Sequence, residues 1–171
     1  MPSAMMVSLQ PDAVEAGANV LRRGGNAVDA AITSALVQTV VDPLMCGIAG
    51  FGSMHLYLPG VGVHDIIDFH GRVPAGATAD MWSDRIIGET DDGFGFVLED
   101  FVNDLGYQSI TTPGTLKALA QASERYGSLP WESLFEPAIE LARNGFTLRE
   151  GVHSYWTRAE DNVPGRVAVS D

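Results

Sequence analysis

The 171 residues are 46% apolar and 19% charged, a balance that supplies a hydrophobic core and excludes a chain disordered throughout. Twenty-two acidic against ten basic residues leave a formal charge of -12, whose field repels phosphate backbones and anionic lipid headgroups and so argues against nucleic acid or membrane partners. The single cysteine, Cys46, rules out an internal disulfide and any cysteine-based zinc or iron–sulfur site.

Met1 to Gln10 has no basic residue ahead of its short apolar patch, so no secretory signal is visible and a cytoplasmic setting is favoured over a periplasmic or secreted one. From Asp12 to Arg23, Ala13, Ala16, Gly17, Val20 and Leu21 recur at the spacing of one helical face, with Asp12 and Glu15 placed as a capping box. Gly24 and Gly25 stop that helix. Asn26 is placed to cap the next, with Asp29 three residues on, and Val28, Ala31, Ile32, Ala35, Leu36 and Val40 form its buried stripe up to Asp42-Pro43. The two make a helical hairpin whose small residues permit close approach.

Pro43 to Val63 carries no charged residue, yet repeated glycines and prolines make it loop and strand instead of a membrane span. Met54 to Leu58 and Val63 to Phe69 are β-favouring runs around Pro-Gly-Val-Gly and predict a hairpin. Helical periodicity returns over Ala77 to Arg85, while the acidic stretch Asp91 to Asn103 is expected to be loop with at most one helical turn. Thr115 to Tyr126, with Leu116, Leu119 and Ala120 on one face, and Pro137 to Arg143, ending at Asn144-Gly145, predict two further helices. A last helix is expected over Arg149 to Glu160, and the tail after Asn162 shows no closing element.

Three constellations invite chemistry. Gly47 to Gly52 has the glycine content of a phosphate loop, but it follows a helix instead of a strand and lacks the Gly-Lys-Ser/Thr signature, so a tight backbone crossing before a strand is the better reading. His64, Asp68 and His70 share one strand face and include metal-ligating types, but alternate strand positions lie about 7 Å apart, which keeps three from converging without a bulge. Polar residues facing solvent or a cleft are the preferred reading, and no metal site is assigned. No nucleophile stands out: there is no Gly-x-Ser-x-Gly elbow, and Cys46 has no basic neighbour to activate it. Nothing in the sequence calls for a cofactor.

Several ordered segments carry a resemblance. They run Glu15-Ala16-Gly17, Leu21-Arg22-Arg23-Gly24-Gly25-Asn26-Ala27-Val28-Asp29-Ala30-Ala31, Val41-Asp42-Pro43 and Gly47-Ile48 to Gly52. After them come Ile67-Asp68-Phe69, Pro74-Ala75, Thr112-Pro113-Gly114, Tyr126-Gly127-Ser128-Leu129-Pro130-Trp131, Pro137-Ala138-Ile139 and Gly145-Phe146. Read together, from about Val7 to Phe146, they resemble the N-terminal part of the large subunit of the γ-glutamyltransferase (γ-glutamyltranspeptidase) family.

The resemblance implies an α+β fold, the αββα sandwich of N-terminal-nucleophile hydrolases, with residues 1–171 an incomplete portion of it and a single partial domain. It implies a precursor that cuts itself into large and small subunits, whose newly exposed threonine, outside this chain, attacks a γ-glutamyl or related amide with its own α-amine as base. The partners so implied are the rest of the large subunit, the small catalytic subunit and a small-molecule amide. In the family pattern an arginine follows the Ile-Asp-Phe strand and pairs with the substrate α-carboxylate, a bidentate task suited to guanidinium. Here His70 stands in that position and Arg72 follows two residues later. Three readings follow: Arg72 replaces the missing guanidinium; the acyl specificity is altered, as in acylase-like and oxamate-amidohydrolase-like relatives; or the site has lost activity. A non-catalytic, partner-binding fragment is the alternative of a different class.

Overall fold

The computed structural model describes residues 4–91 and 93–157, with side chains described up to residue 153. Pro11 opens helix α1 (Pro11–Arg22) at a position where a missing N–H is harmless. The expected Asp12/Glu15 capping box does not form. Gln10 is the N-cap and makes no side-chain cap bond, because the proline starts the helix early and leaves Asp12 already inside the first turn. Glu15 turns outward to Arg22, 2.7 Å away.

Helix α2 (Ala27–Val41) begins with the capping box read from Asn26 and Asp29: Asn26 Oδ1 accepts from the amides of Val28 and Asp29, and Asp29 Oδ2 accepts from the Asn26 amide at 3.0 Å. The expected stripe holds for Val28, Ile32 and Leu36, whereas Ala31 is exposed and Ala35 and Val40 are half-buried. Thr33, Ser34, Val37 and Gln38 are buried as well, so α2 is enclosed on more than one face by α1 and by two later helices.

Strands β1 (Ser53–Leu58) and β2 (Val63–Asp68) form the expected antiparallel hairpin, in register Leu56↔Asp65 and Tyr57↔His64. Leu56 and Ile67 face the helices and are buried; His55, Tyr57, His64 and Ile66 face the other way. The helix expected over Ala77 to Arg85 is absent: the segment is a run of turns ending in a short 3-10 turn at Ser83–Arg85. Trp82 is drawn away to bond Gln108, and Met81 lies on the surface, so no apolar face is buried that would hold a helix. Beyond it, strand β3 (Ile86–Glu89), in a stretch the sequence leaves unassigned, pairs antiparallel with β4 (Phe96–Leu98), which lies where loop is expected. Ile86 and Ile87 are both exposed, so no alternation marks β3 in the sequence.

Helix α3 (Thr115–Tyr126) has the predicted bounds but turns Ala118, Leu119 and Ala122 inward, leaving Leu116 exposed. Helix α4 (Glu136–Asn144) carries Pro137 in its first turn, and α5 (Glu150–Thr157) covers the start of the expected Arg149–Glu160 helix. The remainder of that expectation, and the tail after Asn162, lie outside the described residues. One core results, in which Ile32, Leu36 and Val37 of α2 meet Leu56 and Ile67 of the hairpin, the small face of α3, and Leu134. Among the described residues no helix is long and apolar enough to cross a membrane.

The helices are pinned through a buried carboxylate. Asp29, wholly inaccessible, accepts from the amides of Ser128 and Leu129, at 3.0 and 3.4 Å, and from the Ser128 hydroxyl, while Asn26 Nδ2 donates to the Tyr126 carbonyl at 2.7 Å. A Cβ on Gly127 would lie 3.0 Å from Asp29 Oδ1 and 2.6 Å from the Ser123 carbonyl, so only glycine lets the chain turn this tightly against the carboxylate. Burial works to raise the Asp29 carboxyl, but the Ser128 hydroxyl and the amides of Asn26, Ser128 and Leu129 outweigh it and hold the group below its ordinary value.

Removing this acceptor strands several donors. Asp29→Ala is expected to destabilise the full-length protein by about 3 kcal/mol in urea denaturation, and Ser128→Ala by about 1 kcal/mol. Because the folded-state value is depressed, the wild-type stability from Asp29 is fully present above the unfolded aspartate range, about 3.9, and is lost as pH falls through the folded value. In Asp29→Ala that part of the acid dependence should vanish.

Candidate functional site

The residues at the exit of β2 are held by backbone. The Phe69 amide donates to the Gly52 carbonyl at 2.9 Å, the Gly114 amide to the Gly50 carbonyl at 3.1 Å, and the Thr112 amide to the Arg72 carbonyl at 2.9 Å. Three segments therefore lock together: the glycine turn 47–52, the strand exit 69–72, and residues 111–114 that lead into α3. A Cβ on Gly114 would sit 2.7 Å from the Phe69 carbonyl oxygen, and one on Gly71 would meet Thr111 Cβ at 2.9 Å. The glycine turn is thus a backbone crossing whose carbonyls serve as acceptors for the amides of Phe69 and Gly114.

This frame carries His70 and Arg72 on one strand exit. His70 Nδ1 lies 2.9 Å from Asp68 Oδ1, the same oxygen accepts from the His70 amide at 3.1 Å, and the Phe51 ring lies 5.7 Å from the imidazole, centroid to centroid. An ionised carboxylate only accepts, so Nδ1 carries a proton toward Asp68, and whenever the ring is neutral Nε2 presents the lone pair. The hydrogen bonds from the His70 amide and ring hold the Asp68 carboxyl below its usual range, with a smaller contribution from the charge of Arg72. The Arg72 side chain is exposed and makes no ion pair with a described residue.

The strand-face trio of His64, Asp68 and His70 is not gathered: Asp68 pairs with His70, whereas the His64 ring stacks on His55, its neighbour on β1. Asp65, on the inner face of β2, accepts from the Tyr126 hydroxyl at 2.8 Å and faces Arg125, which ties the hairpin to the end of α3. Cys46 is half-buried, and burial together with the nearby Asp42 charge pushes its thiol up, the reverse of an activated nucleophile. The two-residue spacing placed Asp68 and His70 on one strand face in the sequence, as found, but gave no sign that the carboxylate bonds the imidazole.

A family model for gamma-glutamyltranspeptidase matches residues 13–168. The chain belongs to the γ-glutamyltranspeptidase family. Acylase ACY 1 proenzyme of Pseudomonas sp. (strain V22) is 40% identical over 147 residues, 84% of this chain and 25% of that protein. Glutathione hydrolase proenzyme of Bacillus subtilis (strain 168) is 36% identical over 155 residues, 88% of this chain and 25% of that protein. The crystal structure of Helicobacter pylori gamma-glutamyltranspeptidase superposes with a TM-score of 0.79 at 28% identity, over 93% of this chain and 43% of that one.

The fold is accordingly the α+β arrangement of N-terminal-nucleophile hydrolases, of which the described residues form an incomplete portion, and the chain spans about a quarter of the length of the curated relatives it matches. The segments that carry the family likeness are the ones in contact here. Asn26 and Asp29 meet Tyr126 to Leu129, and Gly50 and Gly52 meet Phe69 and Gly114.

Because both sides of the Gly114 contact are backbone, Gly114→Ala is expected to destabilise by about 2 kcal/mol and to speed hydrogen exchange at the Phe69 and Thr112 amides. Gly76→Ala, where a Cβ meets nothing within 4 Å, should leave both unchanged.

Proposed function

We propose that residues 1–171 are the N-terminal segment of the large subunit of an amide hydrolase or acyltransferase of this family, with an acyl specificity altered from γ-glutamyl. The nucleophile in this reading is a threonine outside the chain, exposed when a precursor cleaves itself. It is activated by its own α-amine, and the acyl-enzyme is then resolved by water or an amine. The partners are the remainder of the large subunit and the small subunit of the same precursor; that the relatives carry the name proenzyme supports this.

The observation that carries the specificity is the Asp68-bound His70 in the position where the family pattern has arginine. A guanidinium offers two parallel donors to a carboxylate, whereas a neutral imidazole with Nδ1 already engaged offers a single acceptor at Nε2. Arg72 is the nearby guanidinium, and its taking a substrate carboxylate is the competing reading. The likeness to an acylase as well as to a glutathione hydrolase supports a changed acyl group.

The test uses the full-length processed enzyme. Intact-mass measurement should show a precursor split into two pieces, the second beginning with threonine. Acyl anilides without an α-carboxylate should be turned over better than the γ-glutamyl anilide, and His70→Arg should raise kcat/KM for the γ-glutamyl anilide at least tenfold, about 1.4 kcal/mol. Asp68→Asn should raise KM for the anilides without an α-carboxylate, with little change in kcat. A wild-type enzyme with a low KM for the γ-glutamyl anilide that collapses in Arg72→Ala would instead make Arg72 the substitute for the family arginine. Neither splitting nor turnover would favour the non-catalytic reading.

A further inference from the structure

At the strand exit one proton decides whether a side chain gives or takes a hydrogen bond. Asp68 Oδ1 accepts from the His70 amide at 3.1 Å and faces Nδ1 of the ring at 2.9 Å, so carboxylate and imidazole are tied through backbone as well as side chain. These bonds, the one from the amide first, hold the Asp68 carboxyl below its usual range, and it stays an ionised acceptor at neutral and mildly acid pH. Nδ1 therefore keeps its proton in both states of the ring, and a proton gained on acidification goes to Nε2. The neutral ring offers a lone pair there; the charged ring offers an N–H at the same point.

We propose that His70 Nε2 sets the acyl preference by its protonation state: a group that donates a hydrogen bond, such as a terminal carboxamide, is favoured when the ring is neutral, and a carboxylate when it is charged. This rests on the reading above in which the strand exit meets the acyl group of the substrate.

An arginine in this place donates at every working pH, because guanidinium does not lose its proton, and it recognises acceptors only. Imidazole changes charge between about pH 5 and 8. A carboxylate facing the neutral ring meets a lone pair, with the Asp68 charge behind it; facing the charged ring it meets a charge-assisted donor. A carboxamide turns its NH2 to the neutral ring and its carbonyl to the charged one, so it keeps one hydrogen bond in either state. The carboxylate is thus the acyl group whose binding depends on the proton.

The charges acting on the ring come from its own segment, where Asp68 favours the charged form and Arg72 opposes it. The glycine turn 47–52 brings the Phe51 ring, 5.7 Å away and tilted by 37°, but no ionisable side chain, and residues 111–114 bring none either.

The test sets two isosteric substrates in competition on the full-length processed enzyme: the monoanilide of a five-carbon dicarboxylic acid and its terminal carboxamide. The range is about pH 5.5 to about pH 8.5, throughout which the substrate carboxylate, titrating at about 4.3, stays ionised. Titrations that act on both substrates alike cancel in the ratio of the two kcat/KM values, which then reads acyl recognition. Acidification should move the wild-type ratio about tenfold toward the carboxylate. His70→Gln, with a donor and an acceptor at every pH, should hold the ratio constant, and His70→Arg should hold it on the carboxylate side throughout. Asp68→Asn removes the charge that favours the imidazolium and should move the midpoint to lower pH.

A wild-type ratio independent of pH, with His70→Gln changing its value, overturns the switch and leaves the strand exit as the acyl site. A pH-dependent ratio that His70→Gln reproduces also overturns the switch, since another group then titrates. A ratio that neither pH nor His70→Gln moves, or no turnover of either anilide at any pH, overturns both the switch and the reading on which it rests.

Discussion

The buried Asp29 carboxylate is the interaction on which the arrangement of helices depends. It closes the local turn that starts α2 and accepts from backbone that is 99 and 100 residues distant. A buried charge is tolerated only when its lone pairs are filled, and here four donors fill them: three backbone amides and one hydroxyl. The geometry leaves little freedom on the facing chain. Gly127 must lack a Cβ, and Ser128 must supply both an amide and a hydroxyl. The stretch Tyr126-Gly127-Ser128-Leu129 is therefore the structural complement of Asn26 and Asp29.

That pin sits at one end of α3, and the candidate site sits at the other. The twelve residues of α3 span about 18 Å, from Gly114 against the Phe69 carbonyl to Tyr126 bonded to Asn26. Because α2 starts at the pin and its C-terminal end leads through Asp42 into the glycine turn, both helices are fixed at both ends. The strand exit bearing His70 and Arg72 is caught between the two far ends. Ala118 and Ala122 on the inner face of α3 let it lie close to α2, and larger residues there would push Gly114 off Phe69.

Features set by local rules were legible in the sequence. The Asn26/Asp29 capping box, the Gly-Gly stop, the Pro-Gly-Val-Gly turn and the bounds of α3 each follow from a few neighbouring residues. The errors arose where a distant partner or plain exposure decides. Ser128 as a ligand of Asp29 has no local sign. β3 and β4 are missed because Ile86 and Ile87 both face solvent, and alternation is the only signal a short strand gives. Asp12 looked like a cap because the spacing to Glu15 is right, but Pro11 had already begun the helix. At the site, His70 and Arg72 were found through the family pattern. Asp68 was read as a polar residue on a solvent- or cleft-facing strand side, and His55 was missed as the neighbour of His64 because it lies on the other strand.

Electrostatics at the strand exit bear on what the proposed enzyme accepts. The formal charges of Asp68 and Arg72 cancel, and the chain as a whole is strongly acidic. A substrate carboxylate arriving there meets one guanidinium, one carboxylate and an imidazole whose Nδ1 is already bonded. Two cations would hold an anionic acyl group; this set holds it with only one, and Asp68 opposes it. Replacing arginine by histidine weakens carboxylate binding, and the Asp68 already present in the Ile-Asp-Phe strand takes the Nδ1 side of the imidazole, so that Nε2 is the nitrogen offered. In the proposed reading the pair shifts recognition toward a group that donates a hydrogen bond to Nε2, and does not merely change the strength with which an anion is held.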